Sequence, residues 1–300
     1  MGAESAVAKA RPDLERDAWP GTEAAFASLD RIRWPQTLAR MKEQTPDLRQ
    51  AFKAAEPFPH VVIDGLFDDD LLDAIAAEFP GPEDPQWRAS TSPDGAVNPW
   101  GPTADLAGPL IHILTQRMNS QPFIDCLAAI TGIRVLIGGS QPTLQQSQQG
   151  NRLAAHVDGM KTARTGLYLR LTTMLFLDRD WAESYVGDFE LWNEDASACV
   201  RPIAPLFNRF VIFVNSDKSY HGFPQPMQAP DGARRRSILL RYHTARRPDG
   251  TGMAPDKRNF GPSDLPPERP RIDPPQSHWF RNTVRQIAPP ILLDLFRKMR

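Results

Sequence analysis

Between about Gln141 and His243 the chain is a succession of short strand-like runs separated by turn residues, and this series limits the fold more than any other feature. The runs are TLQQSQQ, NRLAAH, LYLRLTTMLFLD, DFELWN, ACVRPI, RFVIFV, SYHGF and RRSILLRYH. Eight strands are the number a double-sheet jelly roll requires. Helix-forming segments precede the series instead of alternating with it, so the pattern predicts a mainly β, α+β protein with flanking helices around a cupin-like core, not βαβ units.

Three segments follow from this reading. Residues 1–55 are helix-forming in composition but interrupted by Pro20, Pro35 and Pro46, which predicts a mobile start followed by short helices. Residues 56–246 form the domain, with its jelly-roll core at about 141–246. It opens on PFPHVVIDGLF, a short strand ending at Asp64-Gly65, and DDDLLDAIAAEFP, a helix whose acidic start suits its dipole and whose Leu71, Leu72, Ile75 and Phe79 share one face. Residues 247–300 are a proline-rich arm, irregular from Pro248 to Pro275, and a short C-terminal helix, APPILLDLFRKMR. That helix is expected to dock on the core, with weak peripheral membrane contact through 289–300 as the alternative.

A formal net charge of -1 gives no general field for nucleic acid or anionic lipid. No apolar run is long enough to span a bilayer, and the N-terminus lacks the apolar region of a secretory signal. Two cysteines, Cys126 and Cys199, are too few for a disulfide framework or a CxxC-type zinc site. A cytoplasmic setting is expected, with one disulfide left open.

His156 and Asp158 form a His-x-Asp pair, whose side chains share a face on a strand because the period is two. Chance alone supplies about 0.7 such pairs in a chain with six histidines and 36 acidic residues, so an ordinary polar pair is the first explanation. A third candidate, His221, follows after 62 intervening residues on another strand-like run. Two imidazoles and one carboxylate make a facial triad suited to non-haem Fe(II), with three positions open. Zinc would accept the same ligands in a hydrolase, although HExxH is absent. His60, His112, His243 and His278 compete, and each is expected to be structural or solvent-facing.

In RRRSILLRYHT, Arg235 and Ser237 lie two apart and should share a face. Facing inward they would offer a guanidinium fork and a hydroxyl to one carboxylate of a dicarboxylic acid. A solvated arginine turn is the alternative. Ile238, Leu239 and Leu240 continue the segment as a buried strand, which favours an inward arginine. Arg235 is favoured over Arg234 and Arg236 because only it is in phase with Ser237.

With these residues in view, the sequence resembles the 2-oxoglutarate-Fe(II) oxygenase superfamily, particularly its prolyl-4-hydroxylase-like bacterial branch. The similarity runs from about Phe58 to Thr244 and rests on PFPHVVIDGLF, HVD, MLFLDRDW, GDFELWN, PLFNRFVIF, SYHGFPQP and RRSILLRYHT. The resemblance implies a double-stranded β-helix, with His156, Asp158 and His221 as iron ligands and Arg235 with Ser237 on 2-oxoglutarate. It implies Fe(II), 2-oxoglutarate and O2 as cofactors, with ascorbate as an optional reductant. The implied reaction is hydroxylation of an unactivated C–H in a peptide, saccharide or natural-product substrate, releasing succinate and CO2. Some relatives without the carboxylate halogenate, so the presence of Asp158 favours hydroxylation. Two departures stand out. QPMQAPDGA lengthens the gap between His221 and Arg235, and Phe176 stands where some relatives place a tyrosine that touches the cosubstrate. The loop after the ligands offers Lys161, Arg164 and Arg170 to an anionic substrate, unless it is simply solvated. A non-catalytic cupin-like metal or sugar-binding module is the rival from another class, and the inward dicarboxylate clamp argues against it.

Overall fold

Hydrophobic alternation becomes two antiparallel sheets in the computed structural model of the chain. It describes residues 33–85, 87–91, 97–102, 107–139, 141–159, 161–162, 165–247 and 259–260. The helices α1 (Trp34–Glu43), α2 (Thr45–Ala54), α3 (Asp69–Glu78), α4 (Pro109–Met118) and α5 (Gln121–Thr131) surround the strands. The strands are β1 (His60–Asp64), β2 (Arg88–Thr91), β3 (Val97–Pro102), β4 (Ile137–Gly138), β5 (Thr143–Ser147), β6 (Leu153–Val157) and β7 (Tyr168–Phe176). They continue as β8 (Phe189–Trp192), β9 (Cys199–Ile203), β10 (Arg209–Val214), β11 (His221–Phe223), β12 (Arg235–Thr244) and β13 (Asn259–Phe260).

The larger sheet runs β1-β10-β7-β12-β5-β3-β2, with β4 also on β12, and the smaller runs β13-β6-β11-β8-β9. Each of the eight anticipated runs is a strand. The period of two divides the side chains of the larger sheet between two cores. Leu171, Leu175, Phe210, Ile212, Ile238 and Leu240 point to the helices and pack with Leu72, Ile75, Leu114, Phe123 and Leu127. The alternate residues Met174, Phe176, Val211, Phe213 and Leu239 face the smaller sheet and meet Phe189, Leu191 and Ile203. The polar residues interspersed with this second group are the ones that face the space between the two sheets.

Several local details depart from expectation. Pro35 and Pro46 do not break helices but lie at the second positions of α1 and α2, within the first turn, where a missing N–H costs nothing. The helix after β1 forms as expected, capped by Asp68, whose side chain accepts from the Asp70 N–H at 3.2 Å. At its other end Glu78 accepts from the Leu110 and Ile111 amides at 3.2 and 2.6 Å, tying α3 to the start of α4. Burial pushes the Glu78 carboxyl above its usual range despite those two bonds. The strands β2 and β3 and the helices α4 and α5 have no counterpart in the sequence reading. Within the stretch expected to be irregular, Asn259–Phe260 forms β13 and pairs with β6. Cys126 and Cys199 are both buried thiols, so the disulfide left open does not form. The expected mobile start before residue 33, Arg164, His278 and the C-terminal helix with its membrane-contact alternative lie outside the described residues.

Candidate metal and dicarboxylate site

Strands β6 and β11 pair so that His221 stands directly opposite His156. Asp158 follows one residue beyond the end of β6, again on the inward side. All three are buried, and their ligand atoms lie within 4.8 Å of one another. The His156 Nε2 is 3.7 Å from the Asp158 Oδ1. Each imidazole turns its Nδ1 to a backbone carbonyl two residues earlier, His156 to Ala154 and His221 to Ser219, both at 2.9 Å. A carbonyl only accepts, so each ring, when neutral, carries its proton on Nδ1 and turns its Nε2 lone pair into the cluster. Phe213 and Phe189 wall the His221 ring, with centroids 4.8 and 5.6 Å away. Burial pushes the Asp158 carboxyl up, but the Arg241 guanidinium, its Nε 3.5 Å from Asp158 Oδ2, leads an opposing pull, to which the two histidines add whenever they are protonated, and the group is held well below the usual range. An anionic carboxylate with two neutral imidazoles fits a divalent cation.

The three arginines separate as the strand phase requires. Arg235 is only 1% exposed and pairs with Ser147 of β5. Arg236 points to the helix side, where its guanidinium binds Asp178 at 2.8 Å and the Ala76 carbonyl at 2.7 Å. Arg234 is half-buried and reaches Gln146 at 3.5 Å. The Arg235 Nε donates to the Gly187 carbonyl at 2.7 Å, and the guanidinium lies 4.5 Å from the Phe223 ring and 5.1 Å from the Phe176 ring. Its Nη2 is buried with no hydrogen-bond partner among the described residues. Burial pulls its pKa down to about 10, against the opposing pull of Asp188, Asp178 and Glu190. Ser237 is fully buried on the same face and donates to the Gln145 Oε1 at 3.4 Å. Phe176 therefore gives Arg235 a ring face and no hydroxyl, in line with the departure noted from the sequence.

Phe223 connects the two groups: it lies against Arg235 and follows His221 by two residues on β11. Two residues of strand advance about 6.6 Å, comparable to the length of a five-carbon dicarboxylate. The inserted QPMQAPDGA is not a loose loop. Its Met227 and Ala229 are buried against Leu153 and Phe223, and Trp181 and Tyr185 pack on that cluster.

Other predicted residues fall elsewhere. His60 is buried, with its Nδ1 on the Phe58 carbonyl at 2.9 Å, and burial lowers its pKa. His112 is exposed and His243 half-buried. Lys161 lies with its Nζ 5.5 Å from the Tyr168 ring centroid, and Arg170 is buried within the fold. The sequence reading missed Arg241, although it is in phase with Arg235, Ser237 and Leu239. Gly187 carried no signal at all. Its role depends on φ +140 after a Val186 at φ +51, a conformation that delivers its carbonyl to Arg235.

Residues 142–243 match the family model described as the 2OG-Fe(II) oxygenase superfamily, a span that contains both groups of residues. No curated protein matches the chain. Among solved structures, the chain is similar to a prolyl hydroxylase from Trichoplax adhaerens in complex with a hypoxia inducible factor oxygen degradation domain peptide fragment. Identity is 13% over 69% of this chain and 91% of that one, with a TM-score of 0.52. A prolyl 4-hydroxylase from Phytophthora capsici is 18% identical over 71% of this chain and 66% of that one, with a TM-score of 0.51. At such identities the likeness speaks for the fold, a double-stranded β-helix. Members of the matched family are enzymes that use Fe(II), 2-oxoglutarate and O2. Residues 142–243, which carry both groups of residues, thus match the 2OG-Fe(II) oxygenase superfamily.

Proposed function

We propose that the protein is a 2-oxoglutarate-dependent hydroxylase in which His156, Asp158 and His221 hold Fe(II) while Arg235, with Ser237 beside it, anchors the distal carboxylate of 2-oxoglutarate. The observation that carries this reading is the buried Arg235, with an Nη2 that finds no partner in the described protein, packed on Phe223, which lies one inward position along β11 from the candidate ligand His221. A buried guanidinium without a hydrogen-bonded anion is costly, and a carboxylate supplies both charge and acceptors. When bound, the iron with 2-oxoglutarate and O2 supplies the oxidising power that places a hydroxyl on a C–H bond, with succinate and CO2 released. The chain's own contribution is positional. Carbonyl-tethered imidazoles fix the Nε2 lone pairs, Arg241 keeps Asp158 ionised, and Phe189 and Phe213 exclude water from the histidine side.

The substrate reading is an unactivated C–H of a peptide, saccharide or natural-product scaffold, since the Trichoplax relative is described with a peptide and the chain's charge offers nothing to nucleic acid. A reducing cytoplasm suits the two buried thiols. No helix among the described residues is long and apolar enough to cross a membrane.

The test is anaerobic titration of the protein with Fe(II) and 2-oxoglutarate, followed in the visible range. A metal-to-ligand charge-transfer band is expected for the wild type and not for a His221→Ala, Asp158→Ala double variant. A band that persists in the double variant overturns the ligand assignment. Succinate release on admitting O2, screened over candidate substrates, then addresses specificity.

A further inference from the structure

The inward face of the larger sheet carries cationic groups on both sides of the candidate ligand cluster, Arg235 on one and Arg170 with Arg241, which also faces Asp158, on the other. Arg235 lies toward one end of β12 and Arg241 six residues further on, about 20 Å along a strand. No single five-carbon dicarboxylate reaches both. Beyond Asp158, Arg241 pairs across the sheet with Thr172, and Arg170 shares the inward face of β7 with Thr172. On the inward positions of β5, β7, β10 and β12, among the described residues, the sequence places no acidic side chain.

At this end Asn215 is held on three of its four polar atoms. Its N–H donates to the Arg170 carbonyl at 2.9 Å, its own carbonyl accepts from the Arg247 Nη2 at 2.9 Å, and its Oδ1 accepts from the Thr172 hydroxyl at 2.9 Å. The fourth atom, Nδ2, is buried with no partner among the described residues, in a side chain that is 0% exposed. A donor fixed this firmly, buried, and set beside Arg170 and Arg247 is complementary to an oxyanion. Arg170 is itself 8% exposed, so its charge is also largely removed from solvent.

We propose that Arg170 and Asn215, with Arg247 and Arg241 alongside, form a subsite for the carboxylate or phosphoryl group of a small anionic substrate, on the opposite side of the metal cluster from Arg235. The assignment rests on the hydroxylase reading above and names the substrate class for that site. Anchoring the anion there leaves the adjoining carbon skeleton directed at the metal, which is what selects one C–H among several.

Full-length, metal-free protein is titrated with inorganic phosphate and, separately, with acetate, followed by the 31P and 13C line widths. Saturable binding of at least one anion is expected, weakened about tenfold or more in Arg170→Gln and in Asn215→Leu, the scale of one lost charge-assisted hydrogen bond. Arg170→Lys keeps the charge and should retain most of the affinity, which guards against a variant that merely misfolds. Tighter phosphate points to a phosphoryl substrate and tighter acetate to a carboxylate. Mn(II) with saturating 2-oxoglutarate is then added, and enhanced relaxation of the bound anion places it beside the metal. Absence of saturation, wild-type affinity retained in Arg170→Gln and Asn215→Leu, or no enhancement by bound Mn(II) overturns the proposal. The metal-free titration is run in an Arg235→Met background, which removes the other carboxylate receptor, so a missing Fe(II)–2-oxoglutarate band in the wild type counts against the hydroxylase reading and is distinguishable from failure here.

Discussion

His221 lies directly across an antiparallel strand pair from His156, with the two ring centroids 4.5 Å apart. Both rings are tethered at Nδ1, so little ordering remains when a cation binds. Divalent metal should therefore stabilise the fold by mass action. At a hundredfold excess over Kd the gain is about 2.7 kcal/mol, or roughly 5–10 °C in Tm for a domain of this size. Thermal melts with and without Mn(II) under anaerobic conditions measure it. The shift should vanish in Asp158→Ala, and a shift of equal size there would refute the ligand set.

Gly222, between the candidate ligand His221 and Phe223, has no room for a side chain. A Cβ there would sit 2.7 Å from the Leu153 carbonyl oxygen and 2.9 Å from that of Ala154, both backbone atoms of the facing strand. Gly222→Ala should push β11 from β6, spread the two histidines and weaken Mn(II) binding by about tenfold or more, the scale of roughly 1.4 kcal/mol. Gly81→Ala, where a Cβ meets nothing within 4 Å, serves as the neutral control. Calorimetric metal titration of both variants compares them.

Arg235 and Arg236 are neighbours with opposite predicted signatures. Arg235→Met should lower 2-oxoglutarate affinity by about a hundredfold, the scale of a truncated buried charge pair, while raising the Tm of the ligand-free protein because an unsatisfied buried charge is removed. Arg236→Met leaves Asp178 buried without its partner and should cost about 2 kcal/mol or more of stability with little change in affinity. Chemical denaturation alongside 2-oxoglutarate titration separates the two. A destabilised, fully binding Arg235→Met would reverse the assignment.

The charge on Arg235 also sets a pH limit. Burial brings its pKa to about 10, below that of an exposed arginine. Only the protonated form pairs with a carboxylate, so 2-oxoglutarate affinity should be flat from neutral pH up to about 9 and fall as pH rises through 10. Binding constants measured across that range, with circular dichroism confirming the fold, check the direction. Affinity rising above pH 10 would contradict it.

The eight core strands were legible because each is a short strand-forming run bounded by turn residues, and the strand period of two picked Arg235 from its neighbours through its spacing from Ser237. β2 and β3 were not, because RAST and VNPWGP carry little apolar alternation and the latter contains two prolines. The helices α4 and α5 were missed although Leu110, Ile111, Leu114, Phe123, Leu127 and Ile130 are buried at helical spacing. The spacing of His156 and Asp158 was visible, yet their meeting with His221 depends on the register of β6 against β11, which no local pattern encodes. The Gly187 carbonyl depends on a backbone conformation, and composition does not record one.

The short strand β13 places Asn259 and Phe260 opposite Val157 and His156. The strand that carries the first histidine would otherwise be the open edge of the smaller sheet, with unpaired amides beside the ligand cluster. A polypeptide truncated at residue 247 would keep every residue of both candidate clusters and still lose this covering strand. Such a fragment invites strand addition by a second copy, so a useful expression boundary lies beyond Phe260, well outside the limits that the matched family segment suggests.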